Sequence, residues 1–555
     1  MSPNQNTRPS HTGRGNQGQY GSDETRDFQS FEHGSGRGDL SSRTRGKSSR
    51  KRKKRKPLTK KQKLILLIAG GALALILIVT VIILIVTASN DITHEDISYL
   101  LYSDSKGKYH IMVNGEEVDH DFYGEAELIP SKDRSFAYVL DRTADGIRVY
   151  VLEDEDLNRV TPKPIEDIIA LAELAPGVIY LEGNSYMFFS EDAGEHSLAK
   201  KNEQKPRDFM ISGDASTVIY SATDTSNNKE YLYMFRNKTH QRTVANLSPF
   251  AVSNYGDYIY ASGFVKGVKS LICINPEDTN DRNNVTNSAA LNDSLAPHLN
   301  VEGNEIIYYL DDGRTMLYEA EDNDNYEIAR ATLIPVIVDP EVVVAETFSE
   351  SYLMGENQSD TKNPHVTYYI NDDYEGEKIA NFHGKFSTDG DSFYYINQGK
   401  ALIHMDLTDS DRPTTQTNLE DVVDFVITEK NNVYSINDNH KLYFYKASSG
   451  KITSISWSAT DINFYDYANT LFFAEKESEN VNVWSSEEGS NQEKVKMDKI
   501  QISRVPSFSH PHSKRCYVYY QDPSTKSWHL FYTKNGSSYN LIDDRCTAVY
   551  PDGVK

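Results

Sequence analysis

Cysteine is scarce in this chain, because its 555 residues include only Cys273, Cys516 and Cys546. A small odd number is not the pattern of a disulfide framework, in which paired cysteines make up for a small hydrophobic core. The class of small disulfide-rich secreted domains is therefore excluded. A bridge between Cys516 and Cys546 stays open, since sequence does not show whether two Cα atoms approach within disulfide range.

Catalytic and cofactor motifs are also missing. No nucleophile elbow, phosphate-binding loop, zinc-ligand pair or dinucleotide-binding glycine motif occurs in its proper context. We therefore predict a non-enzymatic protein with no catalytic, cofactor-binding or metal-binding residues. Calcium is the one cation to consider, because hard cations take several oxygen ligands and acidic groups cluster at residues 153–156, at 319–324, and at Asp406, Asp409 and Asp411. None of these clusters has EF-hand spacing, and solvated turn charge is the favoured interpretation.

Large apolar side chains are nearly absent from residues 1–62. Such a segment cannot bury enough surface to offset its ordering entropy, so it is predicted to be a disordered tail. Ionisable groups are in turn absent from residues 64–86. A helix of this length is about 34 Å long and a bilayer core about 30 Å thick, so residues 63–88 are predicted to form a transmembrane helix. A cleaved secretory signal is the alternative, although its apolar region is typically shorter, about 7 to 15 residues.

Charge on the two sides of this segment predicts its orientation. Residues 1–63 carry 17 Lys and Arg against 5 Asp and Glu, with the basic residues concentrated at 43–63. The positive-inside rule then leaves the N-terminus in the cytoplasm and residues 89–555 outside it, at the cell membrane. The basic run 43–63 is expected to contact anionic lipid head groups. A docking tail for an acidic partner is the other interpretation.

The rest of the chain is strongly acidic, because the net charge of the whole is −23 despite the basic tail. This balance disfavours nucleic acid or anionic lipid as a partner of the outer region. It favours cations, basic polymers or basic proteins. Self-repulsion that keeps the chain soluble is the simpler alternative.

A repeat of about 40 residues runs through the outer region, where sustained amphipathic helices are lacking and short aromatic strands are separated by polar turns. Nine repeated strand aromatics define the period: Tyr138, Tyr180, Tyr220, Tyr260, Tyr308, Tyr394, Tyr434, Phe472 and Tyr519. Tyr352 falls at the expected place in the one long gap, and Tyr99 begins the series one period earlier. The 36 tyrosines of the chain are accordingly predicted to be mostly core residues.

Most repeated strands follow an acidic turn, such as Ser131-Lys132-Asp133 or Ser387-Thr388-Asp389-Gly390, and precede a second aromatic strand, such as Leu317-Tyr318. Strand, turn and strand at this period predict the four-stranded blades of an all-β β-propeller. Eleven units exceed the usual four to eight blades. Either some units are partial, leaving a ring of seven or eight blades with added strands, or two smaller propellers lie in tandem. We therefore predict one or two propellers, without a blade count, and a boundary or insertion at residues 331–363.

These turns and strands resemble the TolB-like and dipeptidyl-peptidase-IV-like propellers, whose blades read Ser-x-Asp-Gly, an aromatic strand, an acidic loop and a Leu-Tyr strand. The closest matches are residues 129–142 with Val149-Tyr150-Val151-Leu152, and residues 386–390 with Phe393-Tyr394-Tyr395. The resemblance implies a propeller over about residues 97–550. Peptidases of this group carry their catalytic residues in an α/β-hydrolase domain after the propeller. Residues 546–555 instead resemble a blade, so peptidase activity is not expected.

Together these features predict a membrane-anchored extracytoplasmic propeller that binds a protein or glycan partner as a scaffold or sensor of the cell envelope. Propellers bind through the loops of their faces and central channel, so the acidic loops are the first place to look. One alternative is an enzyme acting on envelope glycan or peptide, with converging carboxylates in the channel. Another is a signal relay through the helix to the basic tail.

Overall fold

The computed structural model describes residues 97–200, 205–279, 281–286, 289–338, 344–357, 364–477, 480–490 and 492–551. The predicted tail 1–62 and the predicted transmembrane helix 63–88 lie outside these residues. Within the described ranges, no helix is long and apolar enough to cross a membrane. Structure in these ranges is almost entirely β, as predicted.

The described residues form eleven four-stranded antiparallel sheets, which we call blades 1–11 in chain order. The strands of each blade are named A to D by their order across the sheet. Blade 1 begins at its B strand and contains β1 (Tyr99–Ser103), β2 (Tyr109–Val113) and β3 (Glu116–Glu117).

Blades 2–5 each contain four successive strands. These are β4 (Glu125–Pro130), β5 (Ala137–Thr143), β6 (Gly146–Glu153) and β7 (Asp156–Arg159); β8 (Asp167–Leu171), β9 (Gly177–Glu182), β10 (Ser185–Ser190) and β11 (Gly194–Lys200); β12 (Arg207–Ile211), β13 (Thr217–Asp224), β14 (Lys229–Arg236) and β15 (Thr239–Ala245); and β16 (Leu247–Val252), β17 (Ile259–Val265), β18 (Val268–Ile274) and β19 (Arg282–Asn284).

Blades 6–9 follow the same scheme, with a 3₁₀ turn at Ala447–Ser449. Their strands are β20 (His298–Leu299), β21 (Glu305–Tyr309), β22 (Thr315–Glu319) and β23 (Asp324–Ala329); β24 (Thr332–Val336), β25 (Tyr352–Glu356), β26 (His365–Ile370) and β27 (Gly376–Ala380); β28 (Gly384–Phe386), β29 (Ser392–Ile396), β30 (Leu402–Asp406) and β31 (Thr414–Gln416); and β32 (Val422–Ile427), β33 (Val433–Asn437), β34 (Leu442–Lys446) and β35 (Lys451–Ser456).

Blades 10 and 11 are separated by a short hairpin, and the last strand belongs to blade 1. The strands are β36 (Ala459–Tyr465), β37 (Thr470–Glu477), β38 (Asn480–Glu487) and β39 (Glu493–Lys494); the hairpin β40 (Lys496–Met497) and β41 (Ile500–Gln501); β42 (Ser507–Phe508), β43 (Cys516–Gln521), β44 (Trp528–Thr533) and β45 (Asn540–Cys546); and β46 (Ala548–Tyr550).

Burial decreases from the B strands to the D strands. β1, β21 and β33 are buried at every residue, as expected for strands covered on both faces by neighbouring blades, whereas β3 and β31 are fully exposed. The A strands of neighbouring blades contact each other: β8 contacts β12, and β12 contacts β16. The A strands therefore surround the propeller axis, and the D strands form the outer edge.

The C-terminal strand closes the ring. β46 takes the A position of blade 1 and pairs with β1, placing Leu101 opposite Tyr550 and Ser103 opposite Ala548. An apolar cluster then joins blade 11 to blade 1 through Leu530, Leu100 and Tyr102. Similar clusters join every other pair of successive blades. Closure removes the two free sheet edges that an open array would leave.

The predicted repeat and the all-β propeller are confirmed, and the described residues form one ring of eleven blades, more than the usual four to eight. Every repeated strand with its aromatic residue is the B strand of a complete blade, and Leu317-Tyr318 lies in a C strand. In the described residues the units are neither partial nor divided into two rings. Residues 331–363 include the A and B strands of blade 7, whose connection at 337–351 is much longer than the turn of about five residues between A and B strands elsewhere.

Most of the repeated tyrosines are buried, and five of them use their hydroxyl groups to bridge blades. The hydroxyl of Tyr260 donates to the carbonyl of Gly303 in the next blade at 2.8 Å, and that of Tyr394 to the carbonyl of Asn431 at 3.0 Å. In blade 11, the hydroxyl of Tyr517 accepts a hydrogen bond from the backbone N–H of Gly115 in blade 1 at 2.9 Å. Burial raises the pKa of Tyr260 well above 10.0, so this phenol stays protonated and remains a donor.

All three cysteines are free and buried. Cys516 begins β43 and Cys546 ends β45 in the same blade, and no bridge joins them. Burial raises the pKa of the Cys273 thiol to about 12 and also raises the pKa of Cys516. These thiols therefore act as small apolar core side chains.

Candidate interaction face and axial cavity

Strand order gives the propeller two chemically distinct faces. In a four-stranded meander, the A–B and C–D turns lie at one end of the strands, and the B–C turns and D–A connections lie at the other. We call the first end face 1 and the second face 2. The first described residues, which precede β1, and the C-terminal end of β46 both lie at face 1.

Acidic residues far outnumber basic ones on the described turns of face 1. The acidic residues are Asp133, Asp154, Glu155, Glu173, Glu191, Asp192, Asp214, Asp257, Glu277, Asp278, Asp281, Glu302, Glu321, Asp322, Glu346, Glu350, Asp372, Asp373, Glu375, Asp389, Asp391, Asp409, Asp411, Glu429, Asp466 and Glu488. The basic residues are Lys132, Arg134, Lys238, Arg412, Lys430, Lys514, Arg515 and Lys534.

Face 2 is close to neutral over the same described ranges. Its acidic residues are Asp104, Asp119, Asp121, Asp145, Glu166, Asp293, Asp311, Asp312, Glu420, Asp421, Asp438, Asp498 and Asp522. They are balanced by Lys106, Lys108, Lys163, Lys205, Lys266, Arg314, Arg330, Lys400, Lys441, Lys499, Arg504 and Lys526. The excess negative charge of the turns is therefore concentrated on one face.

Acidic residues of the A–B turns stabilise those turns. The carboxylate of Asp389 accepts hydrogen bonds from the Ser387 hydroxyl at 2.6 Å, the Asp391 N–H at 3.1 Å and the Asn431 side chain at 2.8 Å. Desolvation raises the pKa of Asp389, but these hydrogen bonds outweigh it and hold the pKa below 3.8. Gly390 completes the turn with a φ of 74°, a conformation that favours glycine. The Ser-x-Asp-Gly motif, on which the resemblance to TolB-like propellers was based, thus forms and stabilises an A–B turn.

In two of the C–D hairpins, neighbouring acidic residues repel one another instead. Desolvation, followed by the charges of Asp322, Glu305, Glu321 and Asp324, raises the pKa of Glu319 in blade 6 above 4.5. The pKa of Glu153 in blade 2 is likewise raised above 4.5, first by desolvation and then by the negative charges of Glu191 and Asp154. Two of the acidic clusters singled out from the sequence therefore carry negative charge that their surroundings do not compensate.

The three sequence clusters lie on separate blades. Residues 153–156 belong to the C–D hairpin of blade 2, residues 319–324 to that of blade 6, and Asp406, Asp409 and Asp411 to that of blade 8. The fold brings all three to the same face without bringing them together. Among the described residues, no group of three His, Cys, Asp or Glu side chains could hold a metal ion.

An axial cavity of about 430 Å³ opens on face 1 among blades 8–11. Its apolar residues are Val338, Phe386, Val426, Ile427 and Phe464, and its polar residues include Lys385, Thr388, Glu429, Asn463, Asp466 and His512. Tyr467 also lines it and is 42% exposed. The A strands run toward face 1, so Val426 and Phe464 lie deeper in the cavity than Glu429, Asp466 and Tyr467 of the A–B turns.

Two of the charged groups in this cavity already have partners. Lys385 contacts Asp424 at 3.2 Å, donates to the carbonyl oxygen of Phe425, and lies 4.9 Å from the centre of the Phe425 ring. His512 Nδ1 lies 2.9 Å from Asp466 Oδ2. Glu429 is exposed and forms no ion pair within the described part of the chain. The rim of the cavity therefore presents unneutralised negative charge.

The long A–B connection of blade 7 reaches both sides of the axis. Val338 lines the axial cavity, whereas Val344 packs with Val301 of blade 6 and Leu174 of blade 3. The backbone N–H of Val301 donates to the carbonyl of Ala345 at 2.8 Å. These contacts fix the two described ends of the connection at face 1.

The C-terminal part of this connection is also held by the buried carboxylate of Glu305. This carboxylate accepts hydrogen bonds from the Thr347 hydroxyl at 2.7 Å, the Phe348 N–H at 2.5 Å and the Tyr374 hydroxyl at 2.9 Å. These hydrogen bonds therefore hold the described C-terminal part of the connection against blade 6 at face 1.

A larger cleft of about 780 Å³ opens on face 2 between blades 4 and 6. Its charges are paired within the protein, since Arg207 contacts Glu230 at 2.6 Å and Lys269 pairs with Asp293. Phe264 lies at its edge and is 72% exposed. Because its charged side chains pair with one another, this cleft is a weaker candidate than the acidic face for binding a charged partner.

Sequence reasoning identified the acidic turns but not the axial cavity. Its lining residues come from three A strands, the A–B turns of blades 8–11 and the connection of blade 7. Each lies in an A strand or between an A strand and the repeated B strand that follows it, and this position was available as a signal. The order in which blades surround the axis was not available.

Comparisons with known proteins add little to this description. No protein-family model and no curated protein matches the chain. Among solved structures, it is similar to the tricorn protease at 12% identity and a TM-score of 0.24, over 78% of this chain and 49% of that one. It is also similar to a eukaryotic initiation factor at 10% identity and a TM-score of 0.33, over 72% of this chain and 96% of that one.

The chain spans about half the length of the tricorn protease chain. At such TM-scores neither likeness carries an argument about function. The β-propeller assignment therefore rests on the sheet topology of this chain.

Proposed function

We propose that this protein is a membrane-anchored extracytoplasmic β-propeller that binds a basic protein partner on face 1, as a non-enzymatic scaffold or sensor of the cell envelope. The observation that carries the proposal is the difference in charge between the faces. If the acidic residues served only to keep the protein soluble, they would be expected on the turns of both faces. The turns of face 2 instead carry nearly equal numbers of acidic and basic residues. A one-sided field attracts and orients an oppositely charged partner.

Repulsion within the C–D hairpins supports the same partner. The raised pKa values of Glu153 and Glu319 mean that each carboxylate costs free energy when ionised in the folded protein. A bound Lys or Arg side chain would lower that cost. A basic surface would therefore bind more favourably here than on the balanced face 2.

Sequence features support the membrane location in this proposal. The apolar segment 64–86 would anchor the protein, and the basic run 43–63 would remain in the cytoplasm against anionic lipid. The turn and strand pattern favours a place among the TolB-like propellers. A signal relay from face 1 to the basic tail would use the same anchor.

The proposal is tested with the full-length protein in neutral detergent and fluorescent poly-lysine as the probe. We expect saturable binding that weakens as salt is raised from about 0.05 to 0.5 M, because screening removes charge attraction. Poly-glutamate, a neutral cell-wall glycan and calcium serve as comparison ligands. Saturable binding of the glycan in place of poly-lysine would contradict the proposal.

A pair of matched variants locates the binding face. In the first variant, four acidic residues of face 1 become amides: Glu319→Gln, Glu321→Gln, Asp322→Asn and Asp324→Asn. In the second, four acidic residues of face 2 become amides: Asp119→Asn, Asp145→Asn, Glu420→Gln and Asp421→Asn. We expect the first to weaken poly-lysine binding several-fold and the second to leave it almost unchanged. Equal effects would mean that net charge, and not face 1, governs binding.

One observation favours the catalytic alternative. Glu429 and Asp466 come from neighbouring blades and line the same cavity, as the carboxylate pair of a glycan-cleaving enzyme would. Incubation with envelope glycans and peptides, followed by product analysis, tests it. Turnover that disappears in both Glu429→Gln and Asp466→Asn would replace the binding proposal with an enzymatic one.

A further inference from the structure

The axial cavity combines several apolar side chains with an acidic rim. Phe386, Val426, Ile427 and Phe464 line it, and Val338 covers one side. Glu429, Asp466 and the half-exposed ring of Tyr467 lie on the turns at its mouth. Tight protein interfaces often have this anatomy, in which one large apolar side chain fills a pocket surrounded by polar contacts.

Charge inside the cavity does not favour an anionic ligand. The Lys385 ammonium group is engaged by Asp424 at 3.2 Å and by the carbonyl oxygen and ring of Phe425. At the rim, His512 Nδ1 lies 2.9 Å from Oδ2 of Asp466. The carboxylates of Asp466 and Glu429 lie at the mouth of the cavity, where they can accept hydrogen bonds from a basic side chain.

We propose that this cavity is the socket for one large apolar side chain, such as tryptophan or leucine, carried by a basic segment of the partner. The inference rests on the proposed function and specifies its partner. Lys or Arg neighbours of the anchor residue pair with Glu429 and Asp466, and the Tyr467 ring packs against the segment. Face 1 provides long-range attraction, and the socket provides specificity.

The cavity chemistry favours this occupant over a sugar. A neutral sugar carries no cation to pair with the acidic rim, whereas a basic segment does, and the cavity is lined by five apolar side chains beside six polar ones. A hydrophobic anchor packs against those apolar side chains, since burying it removes apolar surface from water. Its volume of about 430 Å³ is sufficient for one aromatic side chain with part of its backbone.

Two fluorescent peptides test the inference on the full-length protein in detergent. Both are lysine- and arginine-rich, and they differ only in a central tryptophan or alanine. We expect the tryptophan peptide to bind about tenfold or more tightly, the gain expected from burying a large apolar side chain. Equal affinities would overturn the socket while leaving the proposed function intact, whereas no binding of either peptide or of poly-lysine would overturn both.

A blocked variant shows whether the preference comes from this cavity. Thr388→Trp places a large ring at the mouth of the cavity, on an exposed turn of blade 8. Thr408→Trp is the control, because Thr408 is exposed on the C–D turn of the same blade and face but does not line the cavity. We expect Thr388→Trp alone to remove the tryptophan preference while preserving poly-lysine binding. A preference retained in Thr388→Trp would overturn the assignment.

Discussion

Five buried tyrosine hydroxyls of the B strands, those of Tyr138, Tyr220, Tyr260, Tyr394 and Tyr434, connect neighbouring blades. Tyr260 illustrates the arrangement, since its ring lies in the cluster between blades 5 and 6 and its hydroxyl reaches the turn at Gly303. Phenylalanine at this position would fill the same space but lose the donor. The choice of tyrosine over phenylalanine is therefore explained by the carbonyl groups of the neighbouring turn.

Tyr260→Phe should destabilise the protein by about 1–2 kcal/mol, because the buried carbonyl of Gly303 loses a hydrogen-bond donor. Chemical denaturation followed by tyrosine and tryptophan fluorescence measures the change. Tyr255→Phe is the control on the same blade, since Tyr255 is 38% exposed. An equal loss of stability in both variants would argue against the interblade hydrogen bond.

Glu319→Gln should stabilise the folded protein at neutral pH, because neighbouring carboxylates and partial burial disfavour its charge. The folded pKa is raised, so the penalty is absent below the unfolded value of 4.5 and complete above the folded value. Thermal melts between pH 3 and 8 should thus show a gain that grows with pH. A gain that is constant across this range would contradict the electrostatic cause.

Asp389→Asn should have the opposite effect and destabilise the folded protein at neutral pH. Its folded pKa is held below 3.8 by turn hydrogen bonds, so the ionised carboxylate stabilises the fold above the unfolded pKa and less so as pH falls through the folded pKa. The variant should therefore melt below the wild type at neutral pH, and the difference should narrow in acid. Melts recorded alongside Glu319→Gln provide the comparison.

At the level of elements, the last strand has an effect out of proportion to its length. β46 has three residues, yet it supplies the A strand of blade 1 and places Val549 and Tyr550 against two apolar clusters. Without it, the edge of β1 would be unpaired and blade 1 would have no strand at the axis. An unpaired edge also invites association with other chains.

Removal of residues 548–555 should lower the free energy of unfolding by about 2–4 kcal/mol, from lost apolar burial and lost strand pairing. Limited proteolysis should then cut first within blade 1. Removal of residues 552–555 alone is the control, because it leaves β46 intact. Equal melting temperatures for the two truncated proteins would show that β46 does not close the ring.

At the scale of the molecule, the separation of charge between faces follows from strand order. The A–B turns of blades 2–11 and the C–D turns of all eleven blades lie on one face, so a preference for Asp and Glu in these turns accumulates there. The same preference scattered over both faces would produce a smaller field. Repetition of one blade pattern thus creates a surface property that no single blade has.

Higher salt should raise the melting temperature of the protein, because the net charge of −23 and the crowded acidic face make repulsion the dominant long-range effect. Thermal melts from low salt to about 0.5 M sodium chloride measure this rise. The four-residue face 1 variant should show a smaller rise than the four-residue face 2 variant. A fall in melting temperature with salt would show that attractive ion pairs dominate instead.

The local sequence pattern by itself determined the four-stranded blade as the repeating unit of the fold. Alternating aromatic strands such as β17, acidic turns such as residues 387–391 and the period of about 40 residues all depend on short-range chemistry, which a linear sequence records. The burial of most repeated tyrosines agrees with that pattern.

Only the tertiary structure decided the number of blades in the ring, the free state of Cys516 and Cys546, and the axial cavity. Each depends on the angle at which successive blades pack, because that angle sets how many blades close a ring and which turns meet at the axis. β1 and β46 pair across almost the whole described chain, and Glu429 and Asp466 share a cavity although they lie on different blades. Such contacts leave no periodic trace in sequence, since they are made once.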